Sequence, residues 1–375
     1  MKNFFKTLLL IIVVSYLQCF TNPAYPISPE SDVIKIGCIL NLTGKYEMIG
    51  INALKGVITA IDDLWPDFNY EILVHDIGKD NKNLRDIIKN MVLVDKVLFI
   101  VGPIPITDDS DIVNVINGLK VPTVIFPITD KDSLKSKYLI KYIYPIENQV
   151  KELVEYSRFR MGIRRFGVLY PNTPLGNFFK NSFLSSVNRL GGQIVYEGSY
   201  DPLIRDMSVE TEWIKSIEPE AIFIPDTASN SAEIIIKIKG ERNISNILFL
   251  GPNTWNSNSF LKNAGDLFDG VIFKTIFSDF FYPGSERWLK FYRNYYNLFG
   301  IEAGHIEFQV YEAVRILLST LIDSDEISGD VILERIKMVD DNSAYQIESD
   351  KTDGISIIPG SFLLTIKNNR FIKLK

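Results

Sequence analysis

The chain is 375 residues long, 46% apolar and 23% charged, with a formal net charge of −6. That length accommodates two domains with sizeable cores, and the composition excludes a disordered, collagen-like or multi-span membrane protein. The acidic balance argues against nucleic-acid binding, which normally shows a basic footprint.

Residues 1–24 read as a secretory signal peptide. Lys2 and Lys6 give a basic start, residues 7–17 are an apolar run too short to span a bilayer comfortably, and small or polar residues follow. Export to the periplasm is therefore expected. Cys19 sits where a lipoprotein cysteine would, but Tyr16, Leu17 and Gln18 match poorly the small residues such a site prefers. Cleavage between Cys19 and Tyr25 is the preferred reading, with lipidation at Cys19 as the alternative. In either case Cys38 has no cysteine partner and is expected as a buried strand residue.

After the signal, residues 33–40 form an apolar strand and residues 41–46 a loop. Ala53, Leu54, Val57, Ile58, Ile61 and Leu64 then fall on one face of a helix. Residues 70–74 make the next strand, and Leu84, Ile87, Ile88, Met91 and Val92 mark a second helix. A strand over 97–101, a helix over 111–119 and a strand over 121–126 complete the series. Alternation of this regularity predicts a parallel, doubly wound sheet with helices on both faces. Residues 138–144 lead through Pro145 into a helix over 148–159, where the chain first crosses to a second lobe.

The second lobe opens on RFGVLYPNTPLGNFFKNSFLSSVNRLGGQIVYEGSYD, residues 165–201. Residues 166–170 are an unalternated apolar strand. Leu175, Phe178, Phe179, Phe183, Leu184, Val187 and Leu190 share one helix face, Gly191 and Gly192 close it, and residues 193–197 return as a strand. Helices over 209–217 and 229–239 and strands over 221–225, 247–250 and 271–275 extend the lobe. Two helices, 285–299 and 306–321, return to lobe one. The aromatics Trp288, Phe291, Tyr292 and Tyr295 are expected to pack the core. The tail is predicted as a helix and a hairpin turning at Pro359 and Gly360, in lobe two. The division is thus signal peptide 1–24, lobe one 31–146 plus 278–330, and lobe two 147–277 plus 331–375. The fold class is α/β: two Rossmann-like doubly wound parallel-sheet lobes joined by a multi-strand hinge.

A strand ending in LYPN, a turn reaching Gly176, a helix ending in GG, and YDP after the next strand resemble the second lobe of type I periplasmic binding proteins. The resemblance, across residues 33–370, is to the branched-chain amino acid branch with its leucine-binding proteins, and to the related penicillin-binding protein activators. It implies a cleft between the lobes that closes on a ligand by hinge motion, and a membrane permease as partner.

No nucleophile elbow, phosphate loop or dinucleotide fingerprint is present, and His75 and His305 lack partners at metal-ligand spacing. An enzyme, a cofactor and a metal are not expected. In an open α/β sheet, ligands sit beyond the carboxyl ends of the strands, which selects the loops 43–46, 103–109 and 127–131 of lobe one and 171–175, 226–228 and 251–255 of lobe two. The candidate ligand-binding residues are Thr43, Tyr46, Thr107, Thr129, Asp130, Asp226, Asn253 and Trp255. Asp109 and Asp226 have a simpler reading as helix caps.

The family's amino acid binders hold the ligand's carboxylate and ammonium at recurring positions. The resemblance places the hydroxyls on Ile106, beside Thr107, and on Asp130, beside Thr129. It places the ammonium's carboxylate on Asn253, and the closing tyrosines on Ile49 and Leu175. The sequence departs at each one, and unpaired buried charge is costly. Together with Asp108, Asp130 and Asp226, this favours a small neutral or cationic ligand over a leucine-type amino acid. The expectation is an exported substrate-binding protein of an ABC-type transporter. The alternative is a regulatory or scaffold protein of the cell envelope with a vestigial cleft and an envelope enzyme as partner.

Overall fold

The structure is a computed structural model and describes residues 33–64, 69–78, 84–104, 110–127, 134–202, 207–240, 247–256, 260–261, 265–275, 286–322, 324, 326–339, 345–350 and 354–374. Lobe one is built on β1 (Ile34–Leu40), β2 (Tyr70–Asp76), β3 (Phe99–Ile104), β4 (Thr123–Ile125) and β5 (Leu139–Tyr142), all parallel, in the spatial order β2-β1-β3-β4-β5. Successive residues of β1 and β3 are buried whichever way they point, because helices cover both faces of the sheet. The covering helices are α1 (Glu47–Leu64), α2 (Leu84–Leu93) and α3 (Ser110–Leu119).

Lobe two repeats the plan with β6 (Arg165–Pro171), β7 (Gln193–Tyr200), β8 (Ala221–Phe223), β9 (Leu248–Gly251) and β10 (Ile272–Thr275), in the order β7-β6-β8-β9-β10. Its helices are α4 (Ile146–Phe159), α5 (Pro174–Arg189), α6 (Ser208–Ile217) and α7 (Ala228–Gly240). The helix over 174–189 begins as its sequence dictates: Pro174 occupies the first turn, and the Thr173 hydroxyl accepts the Gly176 N–H at 3.0 Å. One core lies on each face of this sheet. Along β10, Phe273 joins the core of Trp255 and Phe260, whereas Ile272 joins the core of α4 and α5.

The chain then returns to lobe one as α8 (Glu286–Phe299) and α9 (His305–Ser319). Phe291, Tyr295, Phe308 and Tyr311 pack ring on ring there and Tyr292 lies partly buried against them, so these aromatics serve the core as expected, while the Trp288 side chain lies outside what the structure describes. Cys38 is fully buried and free, and burial pushes its thiol up to about 12.

The tail differs from the expectation. The sequence reading puts residues 331–375 in lobe two, and the structure divides them. In α10 (Gly329–Arg335) Ile332 and Leu333 pack into the lobe-one core. β12 (Gly354–Pro359) lies parallel to β5, and β11 (Tyr345–Asp350) pairs antiparallel with β12, so both belong to the first sheet. Past Pro359 the chain crosses, and β13 (Phe362–Lys367) and β14 (Arg370–Lys373) close the second sheet beside β10. Pro359 is therefore the last residue of a strand leading into a crossing. The hairpin turns instead at Asn368 and Asn369, with φ of 52° and 56°, the left-handed conformation that Asn tolerates and a two-residue hairpin requires. Among the described residues no helix is long and apolar enough to cross a membrane.

Candidate functional site

The carboxyl ends of the parallel strands of each lobe carry the candidate residues. On lobe one, Asp76 ends β2 and ties the strand-end turns together. Its Oδ1 accepts the Leu42 and Gly78 N–H groups, each at 2.8 Å, and its Oδ2 accepts the Thr43 hydroxyl at 2.8 Å. Desolvation opposes ionisation of this carboxyl, but these donors outweigh it and hold its pKa below the ordinary value. Gly78 is required there, since a Cβ would fall 1.9 Å from the Thr43 carbonyl oxygen. Asp76 was not among the predicted residues. Its sequence signal is an acid at a strand's carboxyl end followed two residues later by glycine, legible only once that glycine is known to touch the neighbouring loop.

Thr43 thus donates its hydroxyl within the lobe, and Tyr46, in the short 3-10 segment Gly44–Tyr46, is 38% exposed on the rim. Thr107, Thr129, Asp130 and Ile106 lie outside the described residues, as does Cys19.

On lobe two the rim is a belt of side chains bonded to one another. Asp226 follows β8, where its carboxylate accepts the Tyr200 hydroxyl at 2.6 Å, the Thr227 N–H at 2.6 Å and the Asn230 side-chain amide at 3.1 Å. Its backbone carbonyl accepts the Thr254 hydroxyl at 2.6 Å, which fastens the loop after β9 to the loop after β8. Burial first, then the neighbouring carboxylate, pushes the Tyr200 hydroxyl well above the ordinary tyrosine value, so it stays a donor. The cap of α7 is Thr227, whose hydroxyl accepts the Asn230 N–H at 3.4 Å; Asp226, one residue earlier and half-buried at the rim, does not fill the capping role its sequence position allowed. Asn253 Oδ1 accepts the Thr275 hydroxyl at 2.7 Å, and the Asn256 side chain donates to the same hydroxyl oxygen at 3.1 Å.

Trp255 is corrected. It follows β9 in a 3-10 turn, Asn253–Trp255, but its side chain is fully buried. The ring stacks on Phe260 at 4.8 Å and tilts against Phe273 at 6.3 Å. It also lies over Gly251, where a Cβ would come within 2.1 Å of the indole. A stacking face for a ligand is not what this conformation provides, because the loop after β9 folds back onto the apolar face of the sheet. Leu175, where the resemblance places a closing tyrosine, is 42% exposed at the first turn of α5. Among the described residues no group of three acidic, histidine or cysteine side chains is placed to hold a metal ion.

The sequence profile of a family described as "Periplasmic binding protein" matches residues 33–366. The chain belongs to that family. Solved structures share the fold of this family member at low identity. The branched-chain amino acid transporter substrate-binding protein of Streptococcus pneumoniae, solved with isoleucine, is 18% identical, covers 92% of this chain and 100% of its own, and superposes with a TM-score of 0.71. A solute-binding protein of an ABC transporter from Rhodopseudomonas palustris BisB5, solved with 3,4-dihydroxybenzoic acid, is also 18% identical, covering 92% and 97% with a TM-score of 0.67. Among curated proteins, Glutamate receptor 2.9 of Arabidopsis thaliana is 23% identical over 217 residues, which are 56% of this chain and 22% of that receptor. The binding protein described here therefore spans about a fifth of that relative's length.

Proposed function

We propose that this protein is the exported substrate-binding component of an ABC-type transporter, taking a small polar ligand between its lobes and presenting it to a membrane permease. The observation that carries the reading is the family match over residues 33–366, joined to a fold whose strand ends from both lobes supply the rims. Similar proteins solved with isoleucine and with 3,4-dihydroxybenzoic acid support a small-molecule ligand and leave its class open. Binding closes the clamp to the extent that the ligand favours the closed form over the open one. Asp76 and Asp226 give both rims acidic character, which favours a neutral or cationic ligand over a bare carboxylate. Thr43, Tyr46, Asp226 and Asn253, with Thr107, Thr129 and Asp130, are the residues proposed to meet it.

A thermal-shift screen of the protein without residues 1–24 tests this, using amino acids, amides, polyamines and aromatic acids. A ligand at a hundredfold excess over its Kd adds about 2.7 kcal/mol to stability. The expected hit is a cation or a neutral amide, and Asp226→Ala abolishes it. No shift across the library from the folded protein would sink the receptor reading and turn attention to an envelope protein as partner.

A further inference from the structure

The chain passes between the lobes three times: through residues 143–145 between β5 and α4, between Thr275 and Glu286 from β10 to α8, and through residues 360–361 between β12 and β13. Each passage brings one polar group to the same carboxylate. Glu152, in the second turn of α4, accepts the Tyr144 hydroxyl on Oε1 at 3.0 Å. Its Oε2 accepts the Lys274 ammonium, which stands at the end of β10 one residue before the second passage, and the Ser361 hydroxyl at 3.4 Å. Gln149, one turn earlier on α4, donates to the Tyr144 carbonyl at 3.1 Å.

The burial of the partners is unequal. The Lys274 side chain is 4% exposed and the Glu152 side chain 40%. Lys274 shares the α4 side of β10 with Ile272, so a full ammonium sits at the edge of an apolar core. Burial holds its pKa below the ordinary lysine value, with Glu152 working in the opposite direction. A buried cation whose counter-charge also collects two further crossing segments is a poor choice for stability alone, since a well-packed apolar pair often serves a core equally well.

We infer that Glu152 is the positioning residue of the hinge: it clamps the lobe-two end of every crossing segment to α4, and so sets the resting angle between the lobes and how far they swing. Bending is left to the lobe-one ends of the crossings. A clamp that must open and close around one fixed end gains a defined pivot by this arrangement, and ligand affinity then depends on a residue that never touches the ligand. The inference rests on the reading of the two lobes as a moving clamp.

Pulsed electron-spin distance measurements between labels at Val94→Cys in lobe one and Val209→Cys in lobe two test it. In protein without residues 1–24, which removes Cys19, both positions are exposed, whereas Cys38 is buried and its raised pKa makes it unreactive. The double substitution Glu152→Leu with Lys274→Met removes all three ties and leaves no unpaired buried charge. Without ligand, its interlobe distance distribution is expected to broaden and its peak to shift relative to the parent, with little change in melting temperature. Glu152→Gln, which keeps neutral hydrogen bonds, should fall between the two. A folded double variant with the parent's distribution overturns the inference. Should the double variant fail to fold, a parent-like distribution in Glu152→Gln overturns it instead. Because the distances are read without ligand, a failed ligand screen leaves this result standing, and unchanged distances leave the binding proposal untouched.

Discussion

The two lobes share the strand order 2-1-3-4-5 and part company at the outer edge, where the tail adds β12 parallel to β5 in one and β13 antiparallel to β10 in the other. The direction of the chain explains this. β12 runs toward the cleft like the other parallel strands, crosses, and enters lobe two at its cleft end, so β13 must run outward. A single crossing therefore gives the two sheets edges of opposite sense, and places Ser361 where Glu152 reaches it. The rims differ too. Lobe one organises its described rim around a single exposed acid, Asp76, gathering backbone amides. Lobe two bonds Tyr200 to Asp226 and Thr275 to Asn253 side chain to side chain, and Thr254 to the Asp226 backbone carbonyl. A rim of the first kind moves with its loops, and one of the second kind holds three loops in fixed relation.

The largest expected effect breaks lobe two alone. Trp255→Ala removes the ring that packs Gly251, Phe260 and Phe273, and should cost about 3–5 kcal/mol. Urea unfolding followed by one probe in each lobe should show the lobe-two signal moving to lower urea while the lobe-one signal stays. Coincident transitions would mean that the lobes unfold as one cooperative unit and that separate cores have no thermodynamic meaning.

Smaller changes sharpen the contrast between rims. Tyr200→Phe deletes a buried hydroxyl bonded to the half-buried Asp226, and a loss of about 1 kcal/mol is expected. Thr43→Val removes one donor from Asp76, which keeps two amides and faces water, so about 0.5 kcal/mol or less is expected from the same kind of measurement. Equal losses at both sites would erase the distinction drawn between the rims.

The smallest effect concerns an acid buried in lobe one. Glu307, in the first turn of α9, is 4% exposed, and burial holds its carboxyl above the ordinary range despite nearby donors such as the Tyr295 hydroxyl at 3.4 Å. The native state therefore keeps this proton to higher pH than the unfolded chain does. Its contribution favours the fold in acid and is lost as pH rises from the unfolded value through the native one. Glu307→Gln should accordingly be more stable than the parent at pH 7, with the difference shrinking toward pH 4. A difference independent of pH would show that the side chain acts through packing and not through its charge.

What the sequence determined by itself is the run of alternating strands and helices. Each is a local pattern: the unalternated strand at residues 166–170, the three-and-four spacing from Leu175 to Leu190, the threonine and proline that open that helix. A crossover between parallel neighbours follows from such patterns because the twist of strand and helix permits one hand. The candidate loops followed as well, since ligand crevices lie at the carboxyl ends of strands.

Tertiary structure alone decided the rest, because each case turns on contacts between residues far apart in the chain. Residues 345–350 and 354–359 pair with each other although the sequence reading put the hairpin turn at Pro359 and Gly360, and what assigns them to lobe one is pairing of Ile355 and Ile357 with β5, more than two hundred residues earlier. Trp255 sits in a loop that any sequence reading would place at the cleft, and it turns inward because Gly251 leaves room for its ring beside Phe260 and Phe273. Glu152 reads as one more solvated acid on an amphipathic helix. Its three partners at positions 144, 274 and 361 meet it because three separate passages of the chain between the lobes converge on one turn of α4.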